Sequence, residues 1–198
     1  EGLMLDFYLI VSDYDAAYDR RWLALANRLI PPNVFPFQFG ALAAKYAVLS
    51  EADFHRLNGP ETRNVSVWAR FAQPARLVWA KNEEARSKAI ASVSRAAPTL
   101  LGAARPFPEG GELEPWRHAF ALTYSAELRA ERKGRSGSIV DTDPERYRRF
   151  LKPALSTIDR DAPGGGWARR GLGGKLLSVL GLIKASATYA GGAEYIAW

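Results

Sequence analysis

Leu3-Met4-Leu5-Asp6-Phe7-Tyr8-Leu9-Ile10-Val11-Ser12-Asp13-Tyr14-Asp15 is a run of strand-forming residues with one acid set inside it. An apolar run of this length, closed by turn residues, predicts a buried strand. A carboxylate in such a strand needs a partner or a metal, because unpaired burial is strongly unfavourable. Asp13 and Asp15 add two more acids where the run ends, and ligands in α/β folds tend to sit at strand ends. Two readings follow from these residues. A divalent metal with a nucleotide phosphate could occupy the site. Alternatively, Asp6 is paired with an arginine, and Asp13 and Asp15 are turn residues.

The composition narrows the classes. The chain has 198 residues, 47% of them hydrophobic, enough for one large domain or two small ones with a real core. Cysteine is absent, which removes disulfides, thiolate metal sites and a thiol nucleophile. His55 and His118 lie far apart, so a histidine-rich metal site is not expected. The net charge of +6 and the pI near 9.7 favour anionic partners: phosphate, nucleic acid or acidic lipid headgroups. The sequence shows no signal-peptide pattern and no apolar run of about 20 residues, so no bilayer-spanning helix is predicted. It begins at Glu1-Gly2 without a methionine and ends at Trp198 in mid-pattern, so a piece of a longer chain is expected.

Beyond the first strand, residues 16–29 read as one helix, stopped by Pro31-Pro32. Asn33 to Phe39 contains Pro36 and is predicted as an edge strand or extended loop. Lys45 to Ser50 is a short strand, after which Ser50 caps a helix over Glu51 to Leu57. Val65 to Trp79 reads as a short helix or bend followed by a strand over Ala75 to Trp79. Asn82 caps a helix from Glu83, with Ala85, Ala89, Ile90, Val93 and Ala97 on one face and Pro98 closing or kinking it. Pro106 to Gly111 is a loop. Pro115 opens an amphipathic helix carrying Trp116, Ala119, Phe120 and Thr123. Arg129 to Arg135 is a basic stretch, and Asp143-Pro144 starts a helix with Tyr147, Phe150, Leu151 and Leu155 as its apolar face. From Ala162 to Ala193 there is no acid. Arg169, Arg170, Lys175 and Lys184 bracket an apolar run that includes Leu176, Leu177, Leu180 and Ile183. Such a helix could lie in the headgroup plane, bind a partner, or dock on the core.

Four blocks then fall in an order that carries a resemblance. They are Leu5-Asp6-Phe7; Ala44 to Ser50; Trp68-Ala69-Arg70-Phe71 with Pro74; and Leu122-Thr123-Tyr124-Ser125-Ala126-Glu127-Leu128-Arg129. In this order and approximate spacing they resemble the mitochondrial-type (Tam-type) phosphatidate cytidylyltransferases, the CDP-diacylglycerol synthases that also occur in bacteria. The tail from Lys184 to Gly192 looks like that family's C-terminal segment.

The resemblance implies an α+β architecture. Residues 1–82 would form a nucleotidyltransferase-fold mixed sheet, 83–163 a helical winged-helix-like part, and 164–198 a basic amphipathic membrane-contacting tail. It implies transfer of CMP from CTP to phosphatidic acid, giving CDP-diacylglycerol and pyrophosphate, with Mg²⁺ as cofactor. The enzyme would bind an anionic membrane peripherally, at the inner face of a bacterial inner membrane or the matrix side of the mitochondrial one. No nucleic-acid partner is expected. Asp6 matches the family's metal-binding acid, and Lys45 matches a lysine expected on phosphate. Arg70 matches an arginine able to bind phosphate bidentately. Tyr124 and Ser125 match a Tyr-Ser pair at the nucleotide or the domain joint. Asp13 is a second candidate for the metal. Arg169, Arg170, Lys175, Leu176, Leu177, Leu180, Ile183 and Lys184 would contact the membrane.

Each of these residues has a plainer reading: Lys45 as a solvated strand-end lysine, Tyr124 as core, Arg70 as a partner of Glu127 or another acid. The sequence also departs from the family. The upstream Gly-Ser motif would precede Glu1. The Asp-x-Asp pair is missing, since Met4 and Tyr8 stand two residues from Asp6, and Glu127 stands where Asp is common. The fragment can therefore be inactive where a longer parent is active. Two alternatives remain: the same fold acting on RNA or another acceptor, and a non-enzymatic nucleic-acid-binding module using Arg146, Arg148 and Arg149.

Overall fold

The computed structural model describes residues 4–62, 64–126 and 135–158. These form a mixed α/β protein with a small three-stranded mixed sheet and nine helices among the described residues. The chain divides at Phe54/His55 into two compact units. That division comes earlier than the expected 82/83 boundary, because the helix over Ser66–Phe71 shares its core with the later helices.

The first unit holds β1 (Leu5–Val11), α1 (Tyr14–Ala17), α2 (Arg21–Leu29), β2 (Asn33–Phe39) and β3 (Leu42–Ser50). The strand order is β1-β3-β2, with β1 parallel and β2 antiparallel to β3. Gly40, at φ 57, lets the β2–β3 turn take the left-handed conformation such a tight connection needs. Pro36 sits on edge strand β2, where its missing N–H costs no ladder bond on the outer side.

Among the described residues, the expected buried first strand lies at the edge of the sheet. Leu5, Phe7 and Leu9 are 36%, 45% and 41% exposed. The centre belongs to β3, whose Val48 and Leu49 are fully buried. The predicted single helix over 16–29 is two helices, broken at Tyr18, whose backbone is extended. Tyr18 leaves the helix so that its ring can join Leu23, Ala24, Phe35 and Val48 in the core.

Burying that tyrosine requires partners for its hydroxyl. The Asn27 amide donates to it at 3.0 Å and to the Val48 carbonyl at 2.9 Å. The Asn33 amide donates to it at 3.1 Å and to the Leu23 carbonyl at 3.0 Å. Both asparagines are fully buried, so the network ties α2 to β2 and β3. Asn27→Leu strands several of these groups and should cost roughly 2–4 kcal/mol in urea unfolding. A loss below about 0.5 kcal/mol would show that the network contributes nothing net.

The Tyr14 hydroxyl donates to the Asp53 carboxylate at 2.7 Å. Burial, with Asp53 adding to it, pushes Tyr14 up to about 12. Burial also raises Tyr18. A tyrosine in the unfolded chain ionises near pH 10. The folded state therefore holds a proton that the unfolded state releases. This stability is fully present below pH 10 and is lost as pH rises towards 12. The Tyr14 share is on the order of 2–3 kcal/mol. Urea unfolding between pH 9 and 12 should show the decline, and Tyr14→Phe should flatten it.

The second unit begins in α3 (Glu51–Leu57) and continues with α4 (Ser66–Phe71), α5 (Glu83–Ser94), α6 (Ala96–Ala103), α7 (Glu114–Ala126), α8 (Arg135–Thr142) and α9 (Pro144–Ser156). Among the described residues its regular secondary structure is all helical, so the strands of a winged helix are not seen there. The predicted caps are present. Ser50 Oγ accepts from the Asp53 N–H at 3.1 Å, Asn82 from Ala85 at 2.8 Å and Asp143 from Arg146 at 3.2 Å. The expected strand over Ala75 to Trp79 is absent. The segment is irregular, with Val78 74% and Trp79 76% exposed, and β-branched content without a neighbouring strand makes no ladder. The expected apolar face of α5 is only partly covered, since Ile90 is 49% exposed. The helix breaks at Arg95, ahead of Pro98. The core packs Trp68, Leu100, Leu101, Trp116, Phe120, Val140 and Tyr147. A Cβ at Gly59 would meet the ends of the ion-paired Glu61 and Arg95 side chains, which would have to shift to admit it.

Candidate functional site

Parallel pairing of β1 with β3 sets Asp6 directly opposite Lys45, and β2 places Pro36 on the other side of Lys45. The Lys45 ammonium lies 3.1 Å from the Asp6 carboxylate, and both side chains are about one-third exposed. The neighbouring register rows hold Phe7, Tyr46 and Phe35, whose side chains point to the opposite face. On that opposite face α1 and α2 pack over Phe35, Tyr46 and Val48. Asp6 and Lys45 therefore share the sheet face turned away from those helices. Two residues 39 positions apart in sequence thus form one partly exposed charged pair. Asp6 is paired with a lysine, and Lys45 lies within β3 rather than beyond its end.

Asp13 is elsewhere. It follows the C-terminal end of β1, whereas Asp6 is the strand's second residue. At about 3.3 Å per residue, the five steps from Asp6 to Val11 alone span roughly 16 Å. Ligands of one Mg²⁺ must all lie about 2 Å from the ion, so the structure does not bring these two acids to a common ion. Asp13 instead caps α1, accepting from the Asp15 N–H at 2.6 Å. Asp15 holds Arg28 through both its oxygens, and the Arg28 hydrogen bonds depress its carboxyl below the usual range. A shallow cavity of about 250 Å³ adjoins Asp13, lined by Leu9, Val11, Ala16, Ala17 and Val48. Leu9 and Val48 face the helix side of the sheet, so this hollow does not open beside Asp6 or Lys45.

Arg70 is in the last turn of α4, in the second unit. Tyr124 and Ser125 lie in the last turn of α7. Glu127 lies outside the described residues, as do the expected membrane contacts Arg169, Arg170, Lys175, Leu176, Leu177, Leu180, Ile183 and Lys184. Among the described residues no helix is long and apolar enough to cross a membrane. No group of three or more histidines and acids is placed to hold a metal among them either.

Mg²⁺ commonly uses one or two protein carboxylates and completes its octahedron with phosphate oxygens and water. Asp6 fits the one-carboxylate form of such a site. Its carboxylate is about one-third exposed and already holds a cation, the Lys45 ammonium. The Tyr18–Asn27–Asn33 network and the Tyr14–Asp53 bond, which brace the sheet and its helices, went unread in the sequence. A buried asparagine has no local signature to distinguish it from a surface one. Compared with known proteins, the chain matches no family model and no curated protein.

Proposed function

We propose that the protein is a nucleotidyltransferase that moves CMP from CTP to phosphatidic acid, forming CDP-diacylglycerol and pyrophosphate. One observation carries this reading. The two ionisable residues at the resembling positions of the first two blocks, Asp6 and Lys45, meet at 3.1 Å across β1 and β3, each about one-third exposed. The mixed sheet with a helical second unit supports the reading, as does the net charge of +6, which suits two anionic substrates.

In the reaction, a phosphate oxygen of phosphatidic acid bonds to the α-phosphorus of CTP. The bond from that phosphorus to the α,β-bridging oxygen breaks, and its electron pair leaves with pyrophosphate. The protein chiefly positions two anions and offsets their charge. Lys45 would exchange its bond to Asp6 for one to the triphosphate. Asp6 would then be the protein ligand of Mg²⁺, which supplies neutralisation of the charge growing on the leaving group. Arg70 offers a planar guanidinium suited to a phosphate, and the membrane-contact assignment of the basic tail belongs to this proposal too.

The test is product formation by the polypeptide containing this chain, given CTP, MgCl₂ and vesicles of phosphatidic acid in phosphatidylcholine. CDP-diacylglycerol and pyrophosphate should appear in equal amounts and disappear with EDTA. If CTP is not consumed with phosphatidic acid but is with RNA, the fold acts on a different acceptor. If CTP is consumed with neither, the enzymatic reading is dropped.

A further inference from the structure

The helical unit contains a second cavity, of about 330 Å³, between α4, α5, α6, α7 and α9. Its wall is mainly apolar: Phe71, Val93, Ala97, Trp116, Phe150 and Pro153 face it. The polar groups around it are mostly committed. Ser94 Oγ donates to the Ala91 carbonyl at 2.8 Å, and Thr157 Oγ1 donates to the Ala154 carbonyl at 2.9 Å. Arg146 is different. Its guanidinium carbon stands 5.2 Å from the centre of the Phe150 ring, and among the described residues no carboxylate is in ion-pair range of it. The nearby acids are engaged: Glu145 pairs with Arg148 at 3.2 Å, and the Asp143 side chain caps α9.

An apolar cavity with one available cation at its edge has a defined complement. We propose that this cavity binds a single alkyl chain ending in a carboxylate, with the chain against Trp116, Ala97 and Pro153 and the carboxylate on Arg146. The size sets the number of chains, since 330 Å³ is at the small end of ligand pockets, about 300–1,000 Å³. One guanidinium neutralises one negative charge and pairs with a carboxylate through two parallel hydrogen bonds. Phe150 beneath the guanidinium holds its plane by cation–π attraction. The site needs neither CTP nor Asp6, so it stands or falls separately from the proposed transfer reaction.

Calorimetric titration of the full chain with dodecanoate, below its micelle concentration, tests this. One equivalent should bind, and dodecyltrimethylammonium, with the same chain and opposite charge, should bind at least about tenfold more weakly. Arg146→Gln should weaken dodecanoate by about tenfold or more and leave the cationic amphiphile unchanged. Ala97→Phe, checked for native circular dichroism, should remove binding by filling the cavity. Asp6→Asn should bind dodecanoate as the parent does. Equal affinity for the two amphiphiles, an unaffected Arg146→Gln, or no saturable binding of dodecanoate would each overturn the proposal.

Discussion

Replacing Asp6 with Asn should lower CMP transfer on the order of 10³-fold while leaving the fold intact. Loss of one group that stabilises transition-state charge typically costs about 10²–10³ in rate, and Asp6 would also be the protein's ligand for the metal. The fold should tolerate the change because an exposed ion pair contributes only about 0–1 kcal/mol, and both partners are about one-third exposed. Lys45→Met should also slow transfer, on the order of 10²-fold. If the two act as a unit, the double variant should be no slower than Asp6→Asn alone, since such losses do not add. Radiolabelled CTP with phosphatidic acid vesicles measures the rates, and urea unfolding measures stability. A full rate in Asp6→Asn would remove the basis of the proposed activity. A normal rate with several kcal/mol lost would make the pair purely structural.

The second large effect is on stability. Trp116→Ala should destabilise the protein by about 3–5 kcal/mol. Trp116 is 1% exposed, and its ring meets Tyr147 edge-on at 5.2 Å between centroids and stacks on Phe120 at 6.2 Å. Its indole N–H donates to the Tyr147 carbonyl at 2.9 Å, joining α7 to α9. Alanine leaves a large cavity and also removes that hydrogen bond, which adds about 1 kcal/mol. Trp116→Phe keeps most of the volume and loses the hydrogen bond, so it should fall between wild type and Trp116→Ala. Chemical unfolding read by far-UV circular dichroism gives the comparison. A loss under about 1 kcal/mol for Trp116→Ala would mean that the helical core does not depend on this contact.

Signals acting over three or four residues were legible in the sequence. The Ser50, Asn82 and Asp143 caps could be read because each side chain meets an N–H only three residues on. Pro36 marked β2 as an edge because a proline cannot donate to a ladder on both sides. Helical spacing correctly marked Trp116 and Phe120 of α7 and Tyr147 of α9 as buried, whereas Phe150, expected on the same face of α9, is 47% exposed. Where a residue's role depends on distant chain, local pattern misled. Leu5, Phe7 and Leu9 look like the middle of a sheet, yet β3 occupies the middle. Leu77-Val78-Trp79 has strand composition but no pairing partner. Tyr18 has the spacing to continue a helix, but its burial against Phe35 and the two asparagines outweighs one more helical turn.

The candidate site divides along the same line. The residue types were set by the sequence: one acid in the first strand, one lysine in a later block, and excess positive charge. Only the tertiary structure decided that Asp6 and Lys45 share a sheet face and that Asp13 does not join them. The register of a parallel strand pair is fixed by hydrogen bonds between segments far apart in the chain, and shifting it by one residue sends every side chain to the other face.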